Sequence, residues 1–571
     1  MAWPPLSAEL SAARTALSRG DLDQAEALLQ VLLAINPDDA DGLERLAIVQ
    51  CRRGDLARGE ALLERALKAQ PNHPAALNSL GAVRQNQGRL AEARLVLEQA
   101  VTLQPDLADG WCNLGIVLHQ LQQNGPALAA LERALALQGG NSRVLRVLAR
   151  VLVDLERPAA AITQLRQAAA ADPSLWQELV NLGLQLHDRG RTDLAISALE
   201  QALAGGPEAS MTVLNLGALL SLQGRQQEAL SYFSRAVALE PDGAAAHLYL
   251  GISLLLTSDQ NRGWDEFEWR ARVATSMAPL VTPPGPRWCR EQQAQPVDHL
   301  LLIGEQGLGD VLQFVRYGPV FRPHARKISL CVQEPLVPLL ALSGLADAVL
   351  SPLTAADHPG PWLPLLSTCH ALAAPPASID TASPYLCVPS ERLAQWRQRL
   401  SPRPGELLVG VHWQGNPEAE LRDAARGRSL PLLLLAPLAE IPGLRLLSLQ
   451  KGPGAEQLLS CPFRGAFHAA QAAVETAWDF LDTAAIASCC DLIISADSGL
   501  VHLAGGLGLP VWLLLKQVPD WRWGLEGERC HWYPSLRLFR QRLAGDWPEL
   551  IARLCDQLQG QVPRLIQAKN H

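Results

Sequence analysis

Two hydrophobic patterns divide the chain. From residue 6 to residue 273 the pattern repeats with a period of 34 residues. Pro37, Pro71, Pro105, Pro173, Pro207 and Pro241 share one register, with Gly139 in the vacant slot. A second column pairs Leu with a small residue: Leu46-Ala47, Leu80-Gly81, Leu114-Gly115, Leu148-Ala149, Leu182-Gly183, Leu216-Gly217 and Leu250-Gly251. Gly20, Gly54, Gly88, Gly190 and Gly224 form a third, and Ala66, Ala100, Ala134, Ala168, Ala202 and Ala236 a fourth. Columns in phase over so many periods predict a stack of antiparallel helix pairs. The small residue after Leu lets the first helix approach its neighbour. Glycine makes the turn between helices, where positive φ costs it little. Proline ends one pair and opens the next. One such hairpin cannot bury its apolar face alone, whereas a stack can.

The array loses its register at Gly263-Trp264-Asp265-Glu266-Phe267-Glu268-Trp269-Arg270, whose aromatics predict a cap packed on the next part of the chain. Residues 274–298 carry Pro283, Pro284, Pro286 and Pro296 among few apolar positions and read as a linker. Beyond it, short apolar runs predict strands at 300–303, 327–332, 348–350, 407–413, 444–449, 491–495 and 510–515. Helical stretches at 311–317, 335–345 and 478–490 lie between them. Strands alternating with helices predict parallel sheets. Pro402 and Pro404 separate two doubly wound units, 299–400 and 405–560, with a cleft between them.

The 34-residue pattern resembles the tetratricopeptide repeat. Such arrays are superhelices whose concave groove holds an extended peptide. Asn113, Asn181 and Asn215 precede Leu in the groove-lining helix, with Asn78 close by. There they either bond a peptide backbone or stand as ordinary solvated positions.

Composition narrows the function. Lys plus Arg is 49 against 57 for Asp plus Glu, a net charge of −8, which disfavours nucleic acid or an anionic membrane as the main partner. No apolar run is long enough for a membrane span and no secretory signal is visible, so a cytoplasmic location is expected. The eleven cysteines contain no C-x-x-C pair, and the adjacent Cys489 and Cys490 read as buried structural thiols.

Two strand-to-helix loops carry the candidate chemistry. Gly307-x-Gly309-Asp310 follows the first strand, where the glycines allow close approach of a ligand and Asp310 stands either as a helix cap or as a functional carboxylate. Asp497-Ser498-Gly499 follows the strand at 491–495 and opens a helix bearing His502 one turn on. Free amides at a strand end and helix start suit a phosphate.

Here the second half resembles the heptosyltransferase-like glycosyltransferases, a GT-B family of two Rossmann-like units. The resemblance rests on GEQGLGD, on SADSGLVHLAGGLGLPVWLLL, and on HWQGN, RSLPL, LSLQKG, DWRW and WYPSLRLFRQ. It implies an inverting glycosyltransferase whose N-terminal unit faces the acceptor and whose C-terminal unit holds a nucleotide-diphosphate sugar. Asp310 matches the base that deprotonates the acceptor. Asp497, Ser498, Gly499 and His502 match the diphosphate-binding segment. The basic residue that steadies the leaving phosphates falls on Arg428, or on Arg426. Glu456 matches the position that holds the nucleotide ribose, beside Gln450 and Lys451, the latter otherwise a solvated strand-end charge. Backbone amides, Arg and His balance the leaving charge, so neither metal nor further cofactor is expected. Asp310→Asn is expected to lower turnover and leave donor affinity nearly unchanged. The acceptor recruited by the repeats is expected to be a polypeptide. The alternatives are an envelope saccharide, or a non-catalytic scaffold with a degenerate transferase domain.

Overall fold

The computed structural model describes residues 6–139, 141–273, 278–289, 295–305, 307–379, 384–401, 403–421 and 426–569. Helices from Leu6–Arg19 to Gln260–Phe267 form the expected hairpins. The chain divides into two compact units, one ending at Thr212 and the other starting at Val213. The repeat pattern runs on to residue 273, but the last two hairpins belong to the same unit as the α/β region.

In the first unit the small-residue column acts as its pattern predicts. A Cβ built on Gly115 would lie 2.6 Å from Leu131 Cγ, so the helices touch where the side chain is missing. Asp21 and Asp55 cap their helices by accepting from the amides of Gln24 at 3.0 Å and Arg58 at 2.9 Å. The turn column reaches further than its glycines. Gly20, Gly54, Gly88 and Gly190 have φ of 75–91°, and the positions where the sequence lacks glycine, Gln122 and Glu156, hold φ of 60° and 57°. The hairpin imposes the left-handed turn whatever residue is supplied.

The second unit opens within helix Ser210–Leu222, whose hairpin partner is Gln226–Leu239, and continues with the hairpin Ala244–Leu256/Gln260–Phe267. Two parallel sheets come next. The first holds β1 (Val297–Ile303), β2 (Ala325–Cys331), β3 (Ala348–Leu350) and β4 (Trp362–Pro364) in the order β3-β2-β1-β4. The second holds β5 (Leu407–His412), β6 (Leu444–Ser448), β7 (Leu492–Ala496), β8 (Val511–Leu515) and β9 (Leu536–Arg540) in the order β6-β5-β7-β8-β9. Every residue of β5, β7 and β8 is buried, as covered parallel strands require.

Two segments differ from their sequence pattern. Helix Ser390–Arg399, which the pattern groups with the first sheet, packs on helix Phe480–Ala487 beside the second. Trp396 Nε1 donates to Asp482 Oδ1 at 2.9 Å there, and Arg392 pairs with Asp479. The described part of the 274–298 segment is no free linker. Leu280 donates its amide to the Gly304 carbonyl, Trp288 to the Trp362 carbonyl, and Trp362 to the Pro286 carbonyl. The remainder, 274–277 and 290–294, lies outside the described residues.

The cap at 263–270 does pack on the α/β region. Arg270, 1% exposed, pairs with Glu305 Oε1 at 3.1 Å and Glu268 Oε1 at 2.7 Å. Trp264 meets Phe314 and Trp521 edge-on. One continuous core therefore runs from the last hairpin through both sheets. Among the described residues no helix is long and apolar enough to cross a membrane.

Candidate functional site

In each sheet the strand order reverses beside one central strand: β1 lies between β2 and β4, and β5 between β6 and β7. The crevice outside the carboxyl ends of strands at such a switch point is where doubly wound sheets receive ligands. The loops leaving β1, β5, β7 and β8 bring the candidate residues to that edge.

The two glycine-containing loops meet directly. A Cβ on Gly309 would lie 3.0 Å from His502 Cδ2 and 3.3 Å from Gly499 Cα. The absence of a side chain lets helix Leu308–Phe314 abut the start of helix Gly499–Gly506. Asp310 is the third residue of the first helix, not its cap. Gly307 stands at the cap and offers no side chain, and its amide helps hold the Asp310 carboxylate. The Asp310 side chain keeps 30% of its surface. Desolvation by the cleft walls pushes its carboxyl up, opposed by Arg522 and reinforced by Asp520.

Ser498 caps helix Gly499–Gly506 without bonding its first-turn amides. The leading amides of a helix have no partner further back in it and present a partial positive charge. The Ser498 hydroxyl lies 3.3 Å from His412 Nδ1 instead. Beside it, burial and then Asp520 push the Asp497 carboxyl up to about 6, against the pull of Arg428 and of the Trp523 indole. Burial, with Arg428 adding to it, pushes His412 down to about 4. Arg428 Nε is buried and makes no hydrogen bond among the described residues; the Glu420 carboxylate stands 3.6 Å from it. An unsatisfied guanidinium donor beside a helix N-terminus forms a cradle suited to an anion.

His502 departs from its expected role. Burial, Arg522 and Arg316 hold its pKa well below the ordinary value, so it is a neutral hydrogen-bonding group and not a counter-charge. Its Nδ1 lies 3.0 Å from Tyr533 Oη and its ring stacks on Trp523 at 5.4 Å. Positive charge falls to arginine. Arg428 lies over Gly415, where a Cβ would come within 2.9 Å of its guanidinium, and its field reaches both Asp497 and His412. Arg426 is exposed, and its carbonyl accepts from Lys516 Nζ at 3.2 Å. The geometry therefore favours Arg428 over Arg426 at the cradle.

The loop after β6 is less direct. Gln450 is 5% exposed, and its side-chain amide is fully engaged. Oε1 accepts from the amides of Trp413 at 3.2 Å and Gln414 at 3.0 Å, and Nε2 donates to the carbonyls of Gln414 at 2.9 Å and Pro453 at 2.8 Å. It shapes the loop instead of offering a free group. Lys451 is not a solvated charge: it donates to the Val474 carbonyl, and burial lowers its pKa. Glu456 is exposed.

Several residues at the site escape sequence reasoning. Arg522 and Asp520 come from the turn after β8, His412 ends β5, and Lys516 directly succeeds β8. Arg522 bonds Asp310, Asp520 and Gln313. DWRW and HWQGN contain three of these four, but neither has a spacing that marks a binding group.

In the repeats, Asn113 is 5% exposed and donates to Asn78 Oδ1 at 2.9 Å, while Arg143 donates to its oxygen at 3.2 Å. This is an inter-repeat ladder, not a solvated position. Asn181 is exposed and accepts from Gln177 at 3.2 Å; Asn215 is half-buried.

Family models described as tetratricopeptide repeat match residues 16–83, 86–122, 112–175, 180–244 and 223–260. These segments are tetratricopeptide repeats. Over 326 residues the chain is 26% identical to protein FlbA of Caulobacter vibrioides, covering 52% of each chain. The chain thus spans about half the length of that curated relative. Among solved structures, PilF of Pseudomonas aeruginosa aligns at 21% identity over 43% of this chain and 96% of its own, with a TM-score of 0.28. YrrB, described as a TPR protein with an unusual peptide-binding site, aligns at 21% identity over 32% of this chain and 95% of its own, with a TM-score of 0.26.

Proposed function

We propose that the protein is an inverting glycosyltransferase. It moves a sugar from a nucleotide-diphosphate sugar to an acceptor, a polypeptide, recruited by the repeats. The observation that carries this reading is the contact between the two loops: Asp310, beside Gly309, stands next to an anion cradle at Ser498 and Gly499.

In this reading the acceptor oxygen attacks the sugar C1 while its proton passes to Asp310. The bond from C1 to the diphosphate oxygen breaks, and the nucleoside diphosphate leaves. First-turn amides of helix Gly499–Gly506, the Ser498 hydroxyl and Arg428 meet the charge that develops on the leaving oxygen. The raised pKa of Asp497 reduces its repulsion of an arriving diphosphate. Glu456 takes the ribose position that the family resemblance implies. Ladders such as Asn78–Asn113 line the repeats with amides able to meet a peptide backbone.

The test is a calorimetric and thermal-shift panel of nucleoside diphosphates and their sugars on the whole protein. One nucleotide class should bind. Ser498→Ala and Arg428→Ala should each weaken it about tenfold or more, since a hydrogen bond to a charged group contributes about 1.5–3 kcal/mol. Absence of binding across the panel, or unchanged affinity in both variants, would sink the donor site. With an acceptor in hand, Asp310→Asn should lower turnover roughly 10²–10⁴-fold.

A further inference from the structure

Arg522 joins the two halves of the site. Its Nε donates to Gln313 Oε1 at 2.7 Å, Nη1 to Asp520 Oδ1 at 2.8 Å and Nη2 to Asp310 Oδ1 at 2.5 Å. The side chain is 11% exposed, and its guanidinium carbon lies 4.2 Å above the Trp521 ring. A guanidinium carries five N–H groups, so these three bonds leave it further donor capacity. The same charge acts on Asp497 and on His502, which places the donor loop within its field.

We propose that Arg522 is a donor-responsive latch on Asp310. A diphosphate drawn to the start of helix Gly499–Gly506 competes with Asp310 for the guanidinium, and donor binding thereby frees the carboxylate to take the acceptor's proton. The inference rests on the donor-site reading under Proposed function and adds the order of events to it.

The physical basis is competition for one cation. A multiply charged diphosphate outbids a single carboxylate for the same fork, and the low local dielectric enlarges the difference. A carboxylate held by arginine is a weak base. Once released, Asp310 faces Asp520 after β8 and Glu305 on its own loop, both of which favour its protonated form. Arg270 and the Gly307 amide oppose them, and His502 across the helix contact is neutral. The freed carboxylate is therefore the stronger base.

This differs from a static ion pair in a measurable way. The family resemblance alone leaves donor affinity unchanged in Asp310→Asn, because Asp310 does not touch the diphosphate. Through Arg522 the two are competitors, so removing the charge of Asp310 should tighten diphosphate binding. A purely structural role gives a loss or no change.

Calorimetry on the full-length protein with inorganic pyrophosphate, and with ADP, GDP, CDP and UDP in turn, tests this, with a melting temperature for each variant. Asp310→Asn and Asp310→Ser should both bind about three- to tenfold more tightly than wild type, the range expected for a partly exposed charge-assisted bond. Arg522→Gln should bind about tenfold more weakly. In the double variant Asp310→Asn/Arg522→Gln the gain should vanish, because its target is gone. Unchanged or weaker binding in both Asp310 variants, or a gain that survives in the double variant, overturns the latch. If Ser498→Ala weakens binding but the Asp310 variants show no gain, the latch falls and the donor site stands. If wild type binds none of these probes, both fall.

Discussion

Asp497 and His412 lie at the ends of neighbouring strands, and burial shifts both toward their uncharged forms with opposite consequences for stability. The folded Asp497 carboxyl titrates near 6 against an ordinary value of 3.8. Between those values the folded chain holds a proton that the unfolded chain has lost, so stability falls as pH rises and levels off above about 6. His412 does the reverse: its stability contribution is lost as pH falls from 6.5 toward about 4. Asp497→Asn removes only the first effect. The melting temperature of the variant minus that of wild type should rise from about pH 4 to about pH 6 and hold steady above. A difference flat across that window would contradict the shift. The Asp497 loop is legible in the sequence because a strand end, two small residues and a helix start are local signals. Arg522 is not, since its partner Asp310 lies 212 residues away and its own turn has no periodicity.

At the scale of elements, the repeat turn is set by the hairpin and not by its residue. Gln122 holds φ 60° in the slot that glycine fills in other repeats, and its side chain is exposed. A non-glycine residue in this region costs roughly 1–2 kcal/mol. Gln122→Gly should therefore stabilise the first unit by about 1 kcal/mol, although glycine substitutions usually destabilise. A fall in melting temperature would show the turn to be unstrained. The glycine column makes the turns legible, but the slots without glycine can be placed only by counting. Strands β4 and β9 carry no clear signal. The first is three residues long, and the second alternates Leu and Arg as an edge strand can. The proline-rich segment looks like a linker because a strand-like register held by backbone bonds needs few apolar side chains.

For the whole molecule, the ion pair of Arg270 with Glu305 decides where the chain can be cut. Both are nearly fully buried, and removing one partner of such a pair costs about 3–5 kcal/mol. A fragment beginning at Gln295 lacks Arg270, Trp264 and Trp288, so Glu305 is left buried without its cation. It should aggregate. A fragment beginning at Pro207 keeps the last two hairpins and should fold and bind nucleoside diphosphate as the full chain does. Soluble, cooperatively melting protein from the shorter fragment would show that the hairpins are dispensable. Both architectures, helical repeat and parallel sheet, are legible in local periodicity. That the last repeats share a core with the sheets is not, because that core joins residues far apart in the chain.

Trp264 lies 5.2 Å from Trp521, and this sets a timetable for synthesis. Early hairpins find their partners within a few dozen residues, so they can fold as they leave the ribosome. Residues 213–273 cannot, because the aromatic that covers them is translated near the end. In chains stalled at about residue 300, limited proteolysis should spare the early repeats and cut the last two hairpins, and protection there should come only once Trp521 has cleared the exit tunnel. Protection at the shorter length would mean that the hairpins close without it. Until then a nascent chain displays Trp264 and Phe267 to whatever chaperone is at hand.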